Sequence, residues 1–399
     1  MASVRPKTVP EPESPYPTFA AGTMKKYYSF LDNVWSKLPA WAGPSVASAL
    51  VLLMGLTIRA EWLMILVHFL KWTSPGNGTV TSAAAAAAGS ITFDEWLNVR
   101  FAGFTNVWLI ASFVGYAIYF GVGGFLHWYY YRLRRESAHE WKCQPDKWLP
   151  PDLEWHEIKI GSISLFIGNT LSAALVIWIL NDGYSTVYYN ISDYGWTWFL
   201  LSWPLIFCYQ DYLTYLTHRL YHTPFLYKHF HKLHHTYKQP TAFSVTAIHP
   251  FEFVHVQAIL VSPMFFMPVH WVTMTVLMLY IYYHGIVDHS GINFKAHWWQ
   301  PWQPDCLFHD NHHQYFHVNF GFNAFAWDKI HGTYRRKDRI YREDIYYGKG
   351  KELEKCTEEE LSEEMSERTS ENVAAYQSEA DKQEMVQTVQ KRMKKPAGQ

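Results

Sequence analysis

Long apolar runs set the pattern of this chain. They fill residues 106–126, 161–180 and 196–209, and a fourth covers most of residues 251–283, broken by Pro263 and Pro268. A helix needs about 20 mostly apolar residues to cross a bilayer. The first two runs meet that length, and the third does so if its helix continues to Leu216. The fourth is too long for one helix, and its prolines predict a hairpin of two. A further stretch, residues 45–70, encloses Arg59 and Glu61. Intramembrane charge is costly, so this stretch is read as a span with a re-entrant segment as the alternative. Several such runs exceed what one soluble core needs. The expected fold class is all-α, a polytopic membrane helical protein.

Polar positions between the runs orient them. The second span ends in Trp128, Tyr129, Tyr130 and Tyr131, an interfacial aromatic belt, and Arg132, Arg134 and Arg135 follow. Positive charge marks the cytosolic side. Residues 73–94 and 181–195 are then lumenal, and each holds one glycosylation sequon, at Asn77 and Asn190. The first twenty residues are proline-rich without an apolar core, so no cleavable signal peptide is expected and targeting falls to the first internal span. Cys143, Cys306 and Cys356 fall on segments read as cytosolic and Cys208 lies in a span, which predicts free thiols.

This pattern divides the chain into a cytosolic tail over residues 1–43, membrane helices and loops over 44–202, a histidine-rich domain over 203–345, and a charged tail over 346–399. The last segment reads as solvated, with some helix expected from the capping box that opens at Thr357. Net charge is −1 and the short basic terminus, Lys391 to Lys395, suits a membrane surface or solubility; no nucleic-acid partner is indicated. No Gly-rich phosphate loop and no flavin or haem motif occurs.

Histidines carry the chemistry. The pentapeptide His-x-x-His-His occurs twice, as His231, His234 and His235 and as His309, His312 and His313, and His218 and His222 stand just upstream of the first. On a helix, positions i, i+3 and i+4 share one face, so each pentapeptide would aim three imidazoles in one direction. A lone histidine is usually a packing or surface residue. Eight packed together without a cation would be costly to desolvate, and imidazole is the commonest transition-metal ligand. Structural zinc is the weaker metal reading, since it takes four ligands and often cysteine, and no Cys-x-x-Cys is present. All the clusters fall on the cytosolic face.

These segments resemble the fatty acid hydroxylase superfamily, the membrane histidine-box di-iron enzymes. The resemblance rests on His218 to His235, on Asp288-His-Ser-Gly291 followed by His309 to His313, on His249-Pro-Phe-Glu252, and on the stretch Asn319 to Tyr334. The Asp288-His-Ser-Gly291 and Trp327-Asp-Lys-Ile330 forms are most similar to the sterol branch, which includes cholesterol 25-hydroxylases, C-4 methylsterol oxidases and C-5 sterol desaturases. Carried over residue by residue, the resemblance implies the ligands His218, His222, His231, His234, His235, His289, His309, His312 and His313. It implies two iron ions, oxygen, and electrons from NAD(P)H through cytochrome b5 and its reductase. His284 is held in reserve. His249, with Glu252, is placed behind the ligands, and His317 and His331 are read as packing or surface residues. Asp211, two helical turns before His218, is a candidate to orient a ligand imidazole, as are Asp288 and Asp310.

The resulting expectation is an iron- and oxygen-dependent oxidoreductase of the endoplasmic reticulum membrane. It would hydroxylate or desaturate a membrane lipid, a sterol first. A fatty acid or sphingolipid hydroxylase is the nearest alternative, and a non-catalytic metal-binding membrane scaffold is the alternative of a different class.

Overall fold

The computed structural model describes residues 92–394, and the stretch at residues 45–70, the sequon at Asn77 and the N-terminal tail lie outside them. The chain divides into two compact units, the larger of which includes Arg59–His297 and Pro301–Gln399. This larger unit is mostly helical. A short helix α1 (Phe93–Arg100) leads into α2 (Phe104–Leu133), which loosens into wider turns at Tyr119–Gly123 and His127–Leu133. Then come α3 (Ala138–Trp141), α4 (Pro151–Leu180), α5 (Gly195–Tyr221) and α6 (Pro224–His229). Helices α7 (Pro250–Val261), α8 (Trp271–Asp288), α9 (Cys306–Tyr315) and α10 (Ala326–His331) complete the histidine region. Two C-terminal helices follow, α11 (Glu358–Ser370) and α12 (Glu379–Met393).

Among the described residues, α2 and α4 are the two helices long and apolar enough to cross a membrane. They pack along their length. Trp108 Nε1 donates to the Thr170 hydroxyl at 3.0 Å, and the Tyr116 hydroxyl donates to the Ser162 carbonyl at 2.9 Å. Their outer faces leave Leu109, Phe113, Phe125, Ile163 and Phe166 exposed. The third run forms α5, which passes through Pro204 and continues past Leu216 to Tyr221.

The fourth run is a hairpin of α7 and α8, turning over residues 262–270. Pro250 and Pro263 stand where each could begin a helical turn without losing a needed N–H. The tip of the hairpin reaches the connection between α4 and α5. There β1 (Val187–Tyr188) pairs in parallel with β2 (Val269–His270), and Thr186 N donates to the Met264 carbonyl at 2.7 Å. Packing of α7 against α4 is close at Gly168, where a Cβ would overlap the Phe253 ring.

The C-terminal segment differs from the solvated tail expected of its charge. Strands β3 (Arg339–Ile340) and β4 (Lys351–Glu352) form an antiparallel ribbon, and Ile340, Leu353, Leu361 and Val389 make a small core with α11 and α12. Arg368 is fully buried and donates to the carbonyls of Lys337, Met385 and Arg339, each at 2.8 Å, and to Glu364 at 2.6 Å. Charged composition hid this because the buried charges are paired with one another and with backbone carbonyls. The Thr357 capping box forms as expected. All four cysteines are free.

Candidate metal centre

The nine histidines meet at one end of the bundle, and every one is buried. They form two groups. His218, His222, His231, His235 and His312 make the first, and His234, His289, His309 and His313 the second; within each, the potential ligand atoms lie within 4.8 Å of one another. Each pentapeptide is therefore split between the groups. His231–Thr236 is a tight turn of three-residue pitch rather than an α-helix, so His234 departs from its neighbours. On α9, which is α-helical, His312 faces the first group while His309 and His313 face the second. The expectation of three imidazoles aimed one way is corrected accordingly.

Backbone carbonyls fix the rings. The Nδ1 of His218 lies 2.7 Å from the Phe320 carbonyl, that of His312 2.7 Å from Val318, that of His289 2.6 Å from Gly285, and that of His234 3.4 Å from Ala247. His231 Nδ1 instead faces Glu252 Oε1 at 2.6 Å. A proton held on Nδ1 by these acceptors leaves Nε2 as the lone-pair atom. Those atoms converge. The Nε2 atoms of His218, His222, His231 and His235 stand 3.1–3.3 Å from one another along the pairs His218–His231, His218–His222, His222–His235 and His231–His235. In the second group His234 and His289 are 3.3 Å apart, and His289 and His309 2.9 Å.

This arrangement fits metal ions. Nitrogens sharing one metal at ~2.1 Å would stand ~3.0–3.4 Å apart at octahedral or tetrahedral angles. Without a cation several nitrogens are stranded: His312 Nε2, both nitrogens of His313, and Nδ1 of His235 and His309 are buried with no hydrogen-bond partner. Burial, and then the neighbouring imidazoles, hold His222, His235, His309 and His313 well below the ordinary imidazole range. Burial takes His289 down to about 4. These five rings are thus neutral near pH 7, as ligation requires. An all-imidazole donor set without thiolate suits iron, copper or nickel as well as zinc, and nine ligands suit two ions.

Other predicted residues take different places. His249 caps α7, accepting from Phe251 N at 3.2 Å, and touches neither group; only Glu252 of that pair stands behind a ligand. His284 packs at a tilt against Tyr280 with ring centres 4.4 Å apart and joins neither group. His331 meets the Tyr212 hydroxyl at 3.2 Å. The three aspartates do not orient ligand imidazoles. Asp211 accepts from Asn323 and Trp327, Asp288 from Gln303, and Asp310 from Gln144. Asp328 was not singled out, yet it receives the N–H groups of Phe320 and Gly321 at 2.8 and 2.7 Å, holding the carbonyl that fixes His218. His317 is more than a packing residue: its Nδ1 lies 2.9 Å from His222 Nδ1, and its Nε2 2.8 Å from the Glu343 carbonyl. Its position four residues after His313 was the available signal.

A cavity of about 580 Å³ runs from between α2, α4, α7 and α8 to the histidines. Its inner end is lined by His218, His231, His234, His289 and Phe322, and its walls are mostly aliphatic.

A helical bundle with two buried imidazole clusters at the inner end of an apolar cavity defines a metal-binding class of site. Residues 203–333 match the family model described as fatty acid hydroxylase. The chain is 27% identical over 275 residues to the Delta(7)-sterol 5(6)-desaturase ERG3B of Gibberella zeae, covering 66% of this chain and 81% of that one. It is 32% identical over 177 residues to the Delta(7)-sterol 5(6)-desaturase erg31 of Schizosaccharomyces pombe, covering 42% and 55%. It is 31% identical over 186 residues to the lathosterol oxidase of Rattus norvegicus, covering 46% and 58%. The chain thus spans little more than half the length of the latter two relatives. No solved structure matches it.

Proposed function

We propose that this protein is a membrane-bound, iron- and oxygen-dependent oxidoreductase that hydroxylates or desaturates a sterol. The observation that carries this reading is the pair of imidazole groups at the closed end of an apolar cavity. The nine histidines of the two groups are the proposed ligands of two iron ions. Those ions would supply reductive activation of oxygen, so that hydrogen is taken from an unactivated C–H bond while the donor contributes two electrons.

The chain's own part is holding and excluding. Glu252 keeps the His231 proton on Nδ1, and the carbonyls of Gly285, Val318 and Phe320 do the same for His289, His312 and His218. Phe322 packs against His218 and His309, with ring centres 4.9 and 5.8 Å away, and gives the cavity an apolar floor beside the ligands. The aliphatic walls bind the lipid, keep water out and hold one carbon near the ligands. The resemblance to histidine-box enzymes supports NAD(P)H, a reductase and cytochrome b5 as the electron source.

Membrane immersion is supported by the exposed apolar faces of α2 and α4, and of the hairpin at Val254, Val276 and Leu279. Arg132, Arg134 and Arg135 favour a cytosolic histidine end in the endoplasmic reticulum. Asn190, exposed on the α4–α5 connection, is then the lumenal acceptor. Glycosylation of an asparagine engineered beside His235 would invert this orientation.

The test of function is reconstitution with iron, oxygen, NAD(P)H, reductase and cytochrome b5, comparing a sterol panel with fatty acyl and sphingolipid substrates. Sterol oxidation is the expected result. Acyl oxidation with no sterol turnover overturns the substrate, and no turnover by an iron-loaded protein on any lipid favours a scaffold.

A further inference from the structure

Polar side chains interrupt the aliphatic walls of the cavity, Gln210, Thr214 and Glu252 among them, and one pair of amides stands on α4 and α7. Asn169 on α4 and Gln257 on α7 both line it. Asn169 is 8% exposed, and its Nδ2 is buried with no hydrogen-bond partner. Gln257 Oε1 is likewise buried with none. The two belong to one patch. Gln257 Nε2 donates to the Ser172 hydroxyl at 2.7 Å, and a Cβ placed on Gly168 would lie 2.9 Å from Gln257 Oε1. Ser172 follows Gly168 by four residues and Asn169 by three, so it neighbours both on the surface of α4. Directly against the Asn169 amide, α2 makes room by having no side chain at Gly115, where a Cβ would meet Asn169 Oδ1 at 2.6 Å.

A buried unpaired donor and a buried unpaired acceptor lining one apolar cavity are costly, because each has given up water and gained nothing in exchange. One ligand group satisfies both, a hydroxyl, which accepts one hydrogen bond and donates another. Charge narrows the choice further. Among the described residues lining the cavity none is lysine or arginine, so a carboxylate or phosphate headgroup would be desolvated there without a counter-ion. We propose that Asn169 and Gln257 form the specificity station for the hydroxyl of a neutral, singly hydroxylated lipid, a sterol. This rests on the reading of the cavity as the sterol site.

The station also sets which end of the lipid is oxidised. Gln257 follows Glu252 by five residues on α7, about 7.5 Å of helix rise, and Glu252 touches His231. A hydroxyl held at Gln257 brings the hydroxyl-bearing rings towards the imidazoles.

Binding of a radiolabelled Δ7-sterol, its 3-O-methyl ether and its 3-deoxy analogue to the iron-loaded full chain in detergent tests this. The wild type should prefer the free sterol about tenfold, as one or two lost hydrogen bonds imply. Asn169→Leu and Gln257→Leu, on separate helices, should each lose that preference while binding the deoxy analogue unchanged and retaining iron. Gly115→Ala, which crowds the Asn169 amide, should reduce binding of the free sterol alone. Equal preference in wild type and both variants overturns the station while leaving the sterol reading intact. Wild-type protein that binds none of the three overturns that reading, and the station with it. Should one variant fail to retain iron, the other decides, with Asn169→Ser as a milder change at the first position.

Discussion

Glu252 Oε1 lies 2.6 Å from His231 Nδ1, with both side chains buried. The carboxylate is the one acidic group in hydrogen-bond contact with a member of either imidazole group among the described residues. It sits in the first turn of α7, a helix capped by His249, so the hairpin that walls the cavity also steadies a ligand. The cavity wall and the imidazole cluster share this side chain.

That coupling makes Glu252→Gln a sharp test. The amide keeps the shape but presents a weaker acceptor. Loss of such a partner typically lowers metal affinity or activity about 10–100-fold. We expect reduced iron occupancy and turnover with unchanged helical content by circular dichroism. Wild-type iron content and activity together would sink the role assigned here.

The division into two groups predicts separable losses. His312→Ala removes a member of the first group and His234→Ala a member of the second. Each should retain about half of the wild-type iron, measured by elemental analysis, and neither should turn over. Loss of all iron from both variants would mean that the groups behave as one site.

The histidines were legible because imidazoles in such spacing have few other uses. Their partition was not, because both pentapeptides are split between the groups, one wound as a tight turn at His231–Thr236 and the other as an α-helix, and spacing alone does not say which ring joins which group. Supporting residues were legible only as motif members. His249 and Glu252 stood together in sequence, but one caps a helix and the other meets a ligand. The stretch from Asn319 to Tyr334 was matched as a pattern; its purpose is mechanical, since Asp328 and Asp211 pin the loop whose Phe320 carbonyl fixes His218. The C-terminal segment misled through composition, because Arg368 and Glu371 look like solvent-facing charges until their partners are seen.

Acid should destabilise the metal-free protein. Burial takes His317 from the ordinary 6.5 down to about 4, and His289 to about 4 as well. Between pH 6.5 and 4 the unfolded chain then binds more protons than the folded one. Stability from these groups is complete above 6.5 and is lost as pH falls towards 4, by up to about 1.4 kcal/mol per pH unit for each histidine. Thermal unfolding of chelator-treated protein at pH 7.5, 6 and 5 should show the decline, and metal loading should move it to lower pH. A midpoint independent of pH over that range would contradict the burial of neutral rings.

The Arg335–Glu371 pair supports the last prediction. Arg335 Nη2 lies 3.0 Å from Glu371 Oε1, and its Nη1 donates to Asn311 Oδ1 at 2.9 Å, between His309 and His312 on α9. Tyr315 and Tyr376 also donate to Glu371. The segment after Tyr347 therefore braces the helix that contributes His309, His312 and His313. Glu371→Ala would strand a buried guanidinium, at a cost of about 3–5 kcal/mol. Replacing both partners with apolar residues of similar volume removes the stranded charge and should restore most of that loss. The double variant then separates stability from bracing: if Arg335 fixes α9 through Asn311, iron content should stay low although the unfolding midpoint recovers. Recovery of both in the double variant would reduce the pair to a stability element, and a midpoint unmoved in Glu371→Ala would remove it from the fold's supports altogether.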